Sequence, residues 1–414
     1  MLPVLRDRAL PALLTVAVLA AAACSSGGDG SDGSDGSDGP DAGSPAGADT
    51  PAAPGEVESF TGPVDAFYAV PDPLPAGEPG ELIRTMPLDA AGPGEVGLRI
   101  MYHSTDAEGD DRAVTGVVYH PTGEAPDDGW PILAWAHGTS GIAAPCAPSR
   151  VPVAPPAFGV EGVRVATDYI GLGPDGELHP YLSAAAEGHA VIDGVAAARA
   201  LAEAHAGDRW VVTGHSQGGH AALVTNEMAA DRLPEVELLG AVAIAPGSQL
   251  GESYGDDLQI RIITTMVLFG AAAEDPEVDP RDYLSPDAYA AAADVIRNRC
   301  VGDIITAMVP VAGAADYWVT EPRTDSVGSA WLDENDPGQV ASDSPLLIVQ
   351  GGQDPIVVPA RTAALFERLC GVGQVVEQLD LPTATHDTEP TEASDEIATW
   401  LAARFAGEPA TDGC

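Results

Sequence analysis

The stretch Trp210-Val-Val-Thr-Gly214-His215-Ser216-Gln217-Gly218-Gly219-His220 constrains the fold more than any other part of the chain. It reads as a short apolar strand, a G-x-S-x-G turn, and a helix opening on small residues (Gly218, Gly219, Ala221, Ala222). Glycines at 214 and 218 allow a turn too sharp for residues that carry a Cβ. Such a turn lifts Ser216 into the open and sets the Gln217 N–H beside its hydroxyl. A strand that runs straight into a helix belongs to an α/β architecture, so the rest of the chain has to supply a sheet.

Short, nearly continuous apolar runs recur at Ile132–Ala136, Val163–Thr167, Trp210–Thr213, Gly240–Ala245, Leu346–Val349 and Val375–Leu381. This is the pattern of strands buried on both faces. Leu98–His103 and Ala113–Tyr119 predict an antiparallel pair ahead of them. Helical patterns lie between the strands at Ser183–His205, Gln217–Ala230, Pro359–Leu369 and Glu392–Phe405. The first of these puts Val191, Val195, Ala198 and Ala202 on one face. The alternation predicts a mostly parallel sheet flanked by helices, with right-handed crossovers. It breaks once. About a hundred residues of helical character separate Ala245 from Leu346, too many for a loop in a compact domain. They predict an inserted helical lid over about residues 250–343, with Leu258–Phe269 its most apolar piece. It would roof the carboxyl edge of the sheet, where ligands of α/β folds bind.

A serine hydroxyl at neutral pH is a weak nucleophile and requires a base that a carboxylate orients. In a fold of this kind the acid and then the histidine follow the serine along the chain. Asp354 stands where the apolar run from Leu346 breaks at Gly351 and Gly352; capping the helix near Pro359 is its competing reading. His386 is the only one of nine histidines downstream of Asp354. His215 and His220 flank Ser216 and are expected to point elsewhere. Attack on an ester develops negative charge on the carbonyl oxygen, which requires an oxyanion hole. Backbone N–H groups of Thr139, in the loop after Ile132–Ala136, and of Gln217 are the predicted donors. His137 is expected only to hold that loop. This chemistry needs no metal or organic cofactor.

Composition excludes other classes. The 414 residues include 63 Asp+Glu against 18 Lys+Arg, all of them Arg, for a formal net charge of -45. A phosphate backbone would repel such a chain, which argues against nucleic-acid binding. Arg6 and Arg8, the 15-residue apolar run Ala9–Ala23 and the small residues before Cys24 have the layout of a secretory signal over residues 1–23. Ala22-Ala23-Cys24-Ser25-Ser26 resembles a bacterial lipobox, with Ala21 where Leu is usual. It predicts acylation of Cys24 and a membrane anchor facing outward. Residues 24–56, rich in Gly, Ser, Asp, Pro and Ala, predict a flexible tether reaching roughly 30 Å or more. The folded domain is then 57–414, expected as a monomer. Seven acidic residues fall in the tether, so most of the charge lies on the folded body. With Cys24 acylated, Cys146, Cys300, Cys370 and Cys414 remain, and in an exported chain they suggest two disulfides with three possible pairings.

The site motifs look like those of the α/β-hydrolase superfamily. Within it the chain resembles the secretory lipase family, the fungal lipase A-type and bacterial secreted lipases, from about Phe67 to Cys414. The resemblance rests on Phe67-Tyr68, Pro79-Gly80-Glu81-Leu82-Ile83-Arg84, His137-Gly138-Thr139, and above all Thr167-Asp168-Tyr169-Ile170-Gly171-Leu172-Gly173 with His179-Pro180-Tyr181-Leu182. It implies Ser216, Asp354 and His386 as a catalytic triad, a helical lid, acyl ester substrates including triacylglycerols, and the pairings Cys146–Cys300 and Cys370–Cys414. Asp168 and Tyr169 are expected to shape the loop beside the pocket. Two alternatives remain. A serine exopeptidase of the same fold would need a charged anchor for a peptide terminus, and no such motif is present. A non-catalytic surface lipoprotein would be expected to have lost a triad residue.

Overall fold

A computed structural model describes residues 57–89, 91–174, 176–252 and 258–414. The expected signal segment (1–23), Cys24 and the tether (24–56) lie outside the described residues. Among the described residues ten strands form one sheet: β1 (Glu58–Ser59), β2 (Leu82–Leu88), β3 (Glu95–Thr105), β4 (Asp111–Pro121), β5 (Trp130–Ala136), β6 (Val163–Thr167), β7 (Ala206–His215), β8 (Glu237–Ile244), β9 (Leu346–Gly351) and β10 (Val376–Leu381). Their spatial order is β1-β2-β3-β4-β6-β5-β7-β8-β9-β10. From β6 through β10 every neighbouring pair is parallel, while β2, β3, β4 and β6 pair antiparallel. The fold is that of an α/β-hydrolase.

Strand residues alternate between two apolar layers, which is why the runs look continuous in sequence. Ile132, Ala134, Val212, Ala241, Ala243 and Ile348 pack with helices Ala184–Ala200, Gln217–Arg232 and Pro359–Val372 on one face. Leu133, Val211, Val242, Ile244, Leu347 and Val349 pack with helix Ser394–Phe405 on the other. The helix expected to reach His205 stops at Ala200, with Ser183 as its N-cap and His205 in a left-handed turn at φ 47°.

Strands β1 and β2 were not apparent from the apolar pattern. Leu82–Leu88 carries Arg84, Thr85 and Pro87, and it owes its place to pairing with β3. Arg84 is buried there because its guanidinium donates to the Phe67 and Ala69 carbonyls and pairs with Glu58.

Between β8 and β9 the chain forms helices Leu258–Glu274, Pro286–Asn298, Val301–Ala312 and Ser326–Glu334. They enclose an apolar cluster of their own, including Met266, Phe269, Ile296, Ile304 and Met308. Ile142, Tyr181 and Leu182 from the loops above the sheet join that cluster. Disulfides link Cys146 with Cys300 and Cys370 with Cys414. The first ties the loop after β5 to the residue that opens helix Val301–Ala312, where the Val301 N–H also donates to the Ser140 carbonyl at 2.9 Å. Among the described residues, no helix is long and apolar enough to cross a membrane.

Candidate active site

Ser216 sits between β7 and helix Gln217–Arg232 with φ 60° and ψ -116°, a backbone conformation that costs an L-residue energy and exposes its side chain. The flanking glycines are required by contact. A Cβ at Gly214 would overlap the Gly218 carbonyl oxygen, and one at Gly218 would overlap that of Ala136. The strained turn is held by hydrogen bonds from the Ser216 N–H to the Ile244 carbonyl and from the Gly247 N–H to the Ser216 carbonyl.

Residues far apart in sequence meet at this turn. His386 Nε2 lies 2.9 Å from Ser216 Oγ, and His386 Nδ1 lies 2.7 Å from Asp354 Oδ2. Nδ1 faces a carboxylate and therefore carries the ring proton, which leaves Nε2 to accept from the Ser216 hydroxyl. Asp354 Oδ1 accepts from the Ile356 and Val357 N–H groups at 2.7 and 3.0 Å, so only Oδ2 faces the imidazole. Burial opposes ionisation of Asp354, but the hydrogen bond and charge of His386 outweigh it and hold the carboxyl below its ordinary range. His215 does not point away from the serine's partners, as expected from its position in the turn. Its ring packs on His386 at 4.6 Å, and its Nε2 donates to the His386 carbonyl at 2.8 Å. Burial, then the neighbouring His386, lowers its pKa to about 4, so it stays a neutral brace.

Of the two residues named as oxyanion donors, Gln217 follows Ser216 and opens helix Gln217–Arg232. The loop after β5 passes close to the serine, for a Cβ at Gly138 would lie 3.8 Å from Ser216 Cβ. Thr139 Oγ1 is 2.6 Å from the Tyr181 hydroxyl. Behind Gln217 lies a buried network that sequence reasoning missed. Gln217 Nε2 donates to Glu187 Oε1 and to His179 Nε2, both at 2.8 Å, while His179 Nδ1 donates to the Ile170 carbonyl. His220 bridges Glu187 Oε2 at 2.7 Å and the Asn335 carbonyl at 2.8 Å, so both ring nitrogens donate and the ring is an imidazolium. Burial alone would raise the Glu187 carboxyl, but the His220 charge and the neighbouring histidines hold it at about 2. The network fixes the side chain of the residue that follows Ser216, and it reaches Asn335 at the end of the helical insertion. His179 lies within a motif that carried the family resemblance; nothing distinguished Glu187 among so many acidic residues.

Asp168 and Tyr169 shape the loop. Asp168 is buried and accepts from the Ser149 N–H, the Ser149 hydroxyl and the Thr115 hydroxyl. The Tyr169 hydroxyl donates to the His137 carbonyl at 3.0 Å, and its ring stacks on His179. His137 joins the loops after β5 and β6, with its ring nitrogens at the Gly138 and Asp168 carbonyls. Above Ser216 is a cavity of about 60 Å³, walled by Ile260, Ile263, Thr264 and Val267 of helix Leu258–Glu274 and by Leu332. Among the described residues, no group of three or more His, Cys, Asp or Glu side chains is placed to hold a metal ion.

Comparison with known proteins accords with this fold. Candida antarctica lipase A in its closed state superimposes with a TM-score of 0.69 at 16% identity, covering 84% of this chain and 88% of that one. A second structure of the same lipase gives 0.70 at 15% identity, covering 84% and 87%. The rice cell wall degrading esterase LipA from Xanthomonas oryzae gives 0.63 at 19% identity, covering 80% and 98%. A comparison with curated protein sequences returned no match. The family model described as secretory lipase matches residues 159–413, well over half of the chain. The protein belongs to the secretory lipase family and is an ester-hydrolysing enzyme of the α/β-hydrolase fold.

Proposed function

We propose that the protein cleaves acyl esters through a covalent acyl-enzyme formed on Ser216. The observation that carries this reading is the unbroken chain from Ser216 Oγ through His386 to Asp354 at the strained turn. His386 Nε2 takes the hydroxyl proton as Ser216 Oγ attacks the ester carbonyl, and Asp354 holds the imidazole with Nδ1 protonated. The Thr139 and Gln217 N–H groups stabilise the oxyanion. The alcohol leaves with the proton from His386, and water then releases the acid by the same steps. Replacing Ser216 with Ala should abolish hydrolysis of a soluble p-nitrophenyl ester; turnover at the wild-type rate would refute the assignment.

The insertion over residues 250–343 acts as a lid in this reading, since its helix Leu258–Glu274 walls the small cavity above the serine. A rate that jumps as substrate passes its solubility limit would mark a lipase that opens at interfaces, and simple saturation below that limit an esterase. The family and the two disulfides fit an exported protein. Acylation at Cys24 would hold it at the outer membrane face as a monomer. Cys24→Ala should then release the enzyme into the medium; retention in the membrane fraction would refute the anchor.

A further inference from the structure

The loop that carries His386 brings a second carboxyl to the site. Glu389 lies three residues beyond His386 and opens the short helix Glu389–Glu392. Its side chain is wholly buried, and no donor meets either of its oxygens in hydrogen-bonding geometry. Asp354 is the first charge acting on it. The last residue of β9 makes the necessary room, because a Cβ at Gly351 would overlap Glu389 Oε1. An ionised carboxylate in this place would be buried without a donor and pressed against a second negative charge. A carboxylic acid in the same place has an O–H to give, and Asp354 is an acceptor.

We propose that Glu389 is a positioning residue: it remains a neutral acid and donates its O–H to Asp354, adding a fourth link behind the serine, histidine and aspartate. This rests on the reading of those three as the catalytic relay. The link completes the hydrogen bonding of Asp354, whose other partners are the Ile356 and Val357 N–H groups and the His386 ring. The charged and titratable surroundings favour the neutral acid. Burial, then the Asp354 charge, pushes the Glu389 carboxyl up to about 8, and Glu392 on its own helix acts in the same direction. The Gly351 backbone acts in the opposite direction. The titration belongs to the carboxyl pair as a unit. Its proton is lost at mildly alkaline pH, and the added charge then disturbs the seat of Asp354 against His386.

The test is kcat and KM on a soluble p-nitrophenyl ester from about pH 6 to about pH 10, a range that spans the titration. Glu389→Leu removes the donor and should lower kcat by roughly 10-fold or more with little change in KM, the worth of a hydrogen bond to a charged group. Glu389→Gln keeps an N–H for Asp354 and has no proton to lose. It should restore most of that kcat and move the alkaline limb of the kcat profile to higher pH. A Leu variant that folds and keeps the wild-type kcat, or a Gln variant with the wild-type alkaline limb, overturns the proposal. If the Leu variant does not fold, the Gln profile decides. Ser216→Ala is run alongside: wild-type turnover there defeats the relay itself, whereas its loss with unaltered Glu389 variants defeats only the role of Glu389.

Discussion

Replacing Asp354 with Asn should cost far more activity than the loss of one charge suggests, and the hydrogen bonds around the site show why. The Ile356 and Val357 N–H groups both donate to Oδ1, so an amide at this position must turn its oxygen toward them. Its NH₂ group then faces His386 Nδ1 in place of Oδ2, across a contact that measures 2.7 Å in the native site. Two donors cannot share that contact. The imidazole must give up the Nδ1 proton and carry one on Nε2, which then points at Ser216 Oγ and cannot accept its proton. A forced change of tautomer of this kind lowers kcat by about 10⁴-fold in serine hydrolases, or about 5 kcal/mol of transition-state stabilisation. KM on a soluble p-nitrophenyl ester should change little, since the aspartate does not touch substrate. The fold should survive, because both backbone bonds are kept, and unfolding followed by circular dichroism checks this. A folded Asp354→Asn variant within about 10-fold of wild-type kcat would refute the tautomer reasoning.

The buried Glu187–His220 pair should govern stability over a defined pH window. Glu187 is depressed from its ordinary 4.5 to about 2, so its contribution is present above 4.5 and lost as pH falls toward 2. The Glu187 charge overcomes burial and raises His220 above its ordinary 6.5, so that contribution is present below 6.5 and lost as pH rises through the raised value. Glu187→Gln should therefore cost about 3–5 kcal/mol in urea unfolding, most of it between the two ordinary values; a deficit that does not vary with pH would contradict the ion pair. Cys146 and Cys300 are 154 residues apart. Replacing both with Ser should lower stability by about 2–5 kcal/mol, near the upper end for so long a loop, with Cys370–Cys414 left intact as the internal control. An unchanged guanidinium midpoint would show that the bond constrains nothing.

Much of the architecture was legible because it depends on local pattern. Ile132–Ala136 and Leu346–Val349 are strands whose two faces are both buried, and an unbroken apolar run can hardly mean anything else between turn signals. Ser216, Asp354 and His386 stood out through the turn, the strand end and the order along the chain. What escaped is chemistry that depends on burial of polar residues. Glu187 and Glu389 are two acidic side chains among 63 Asp and Glu, and only the folded chain shows that both are wholly buried. Strand β2 escaped for a related reason: its arginine is interior only because the Phe67 and Ala69 carbonyls and Glu58 come to meet it.

The two disulfides are sequential along the chain and do not cross. A chain that emerges from a translocation pore N-terminus first presents Cys146 and then Cys300 to the oxidising side before Cys370 appears. Export itself can thus favour this pairing by order of arrival. Refolding from a fully reduced and complete chain loses that ordering, because all the thiols then compete at once. The Cys146–Cys300 bond encloses Ser216 within its loop, so oxidation during export would join the loop after β5 to the insertion before Asp354 or His386 has emerged. The turn at Ser216 would be framed before the residues it meets there arrive.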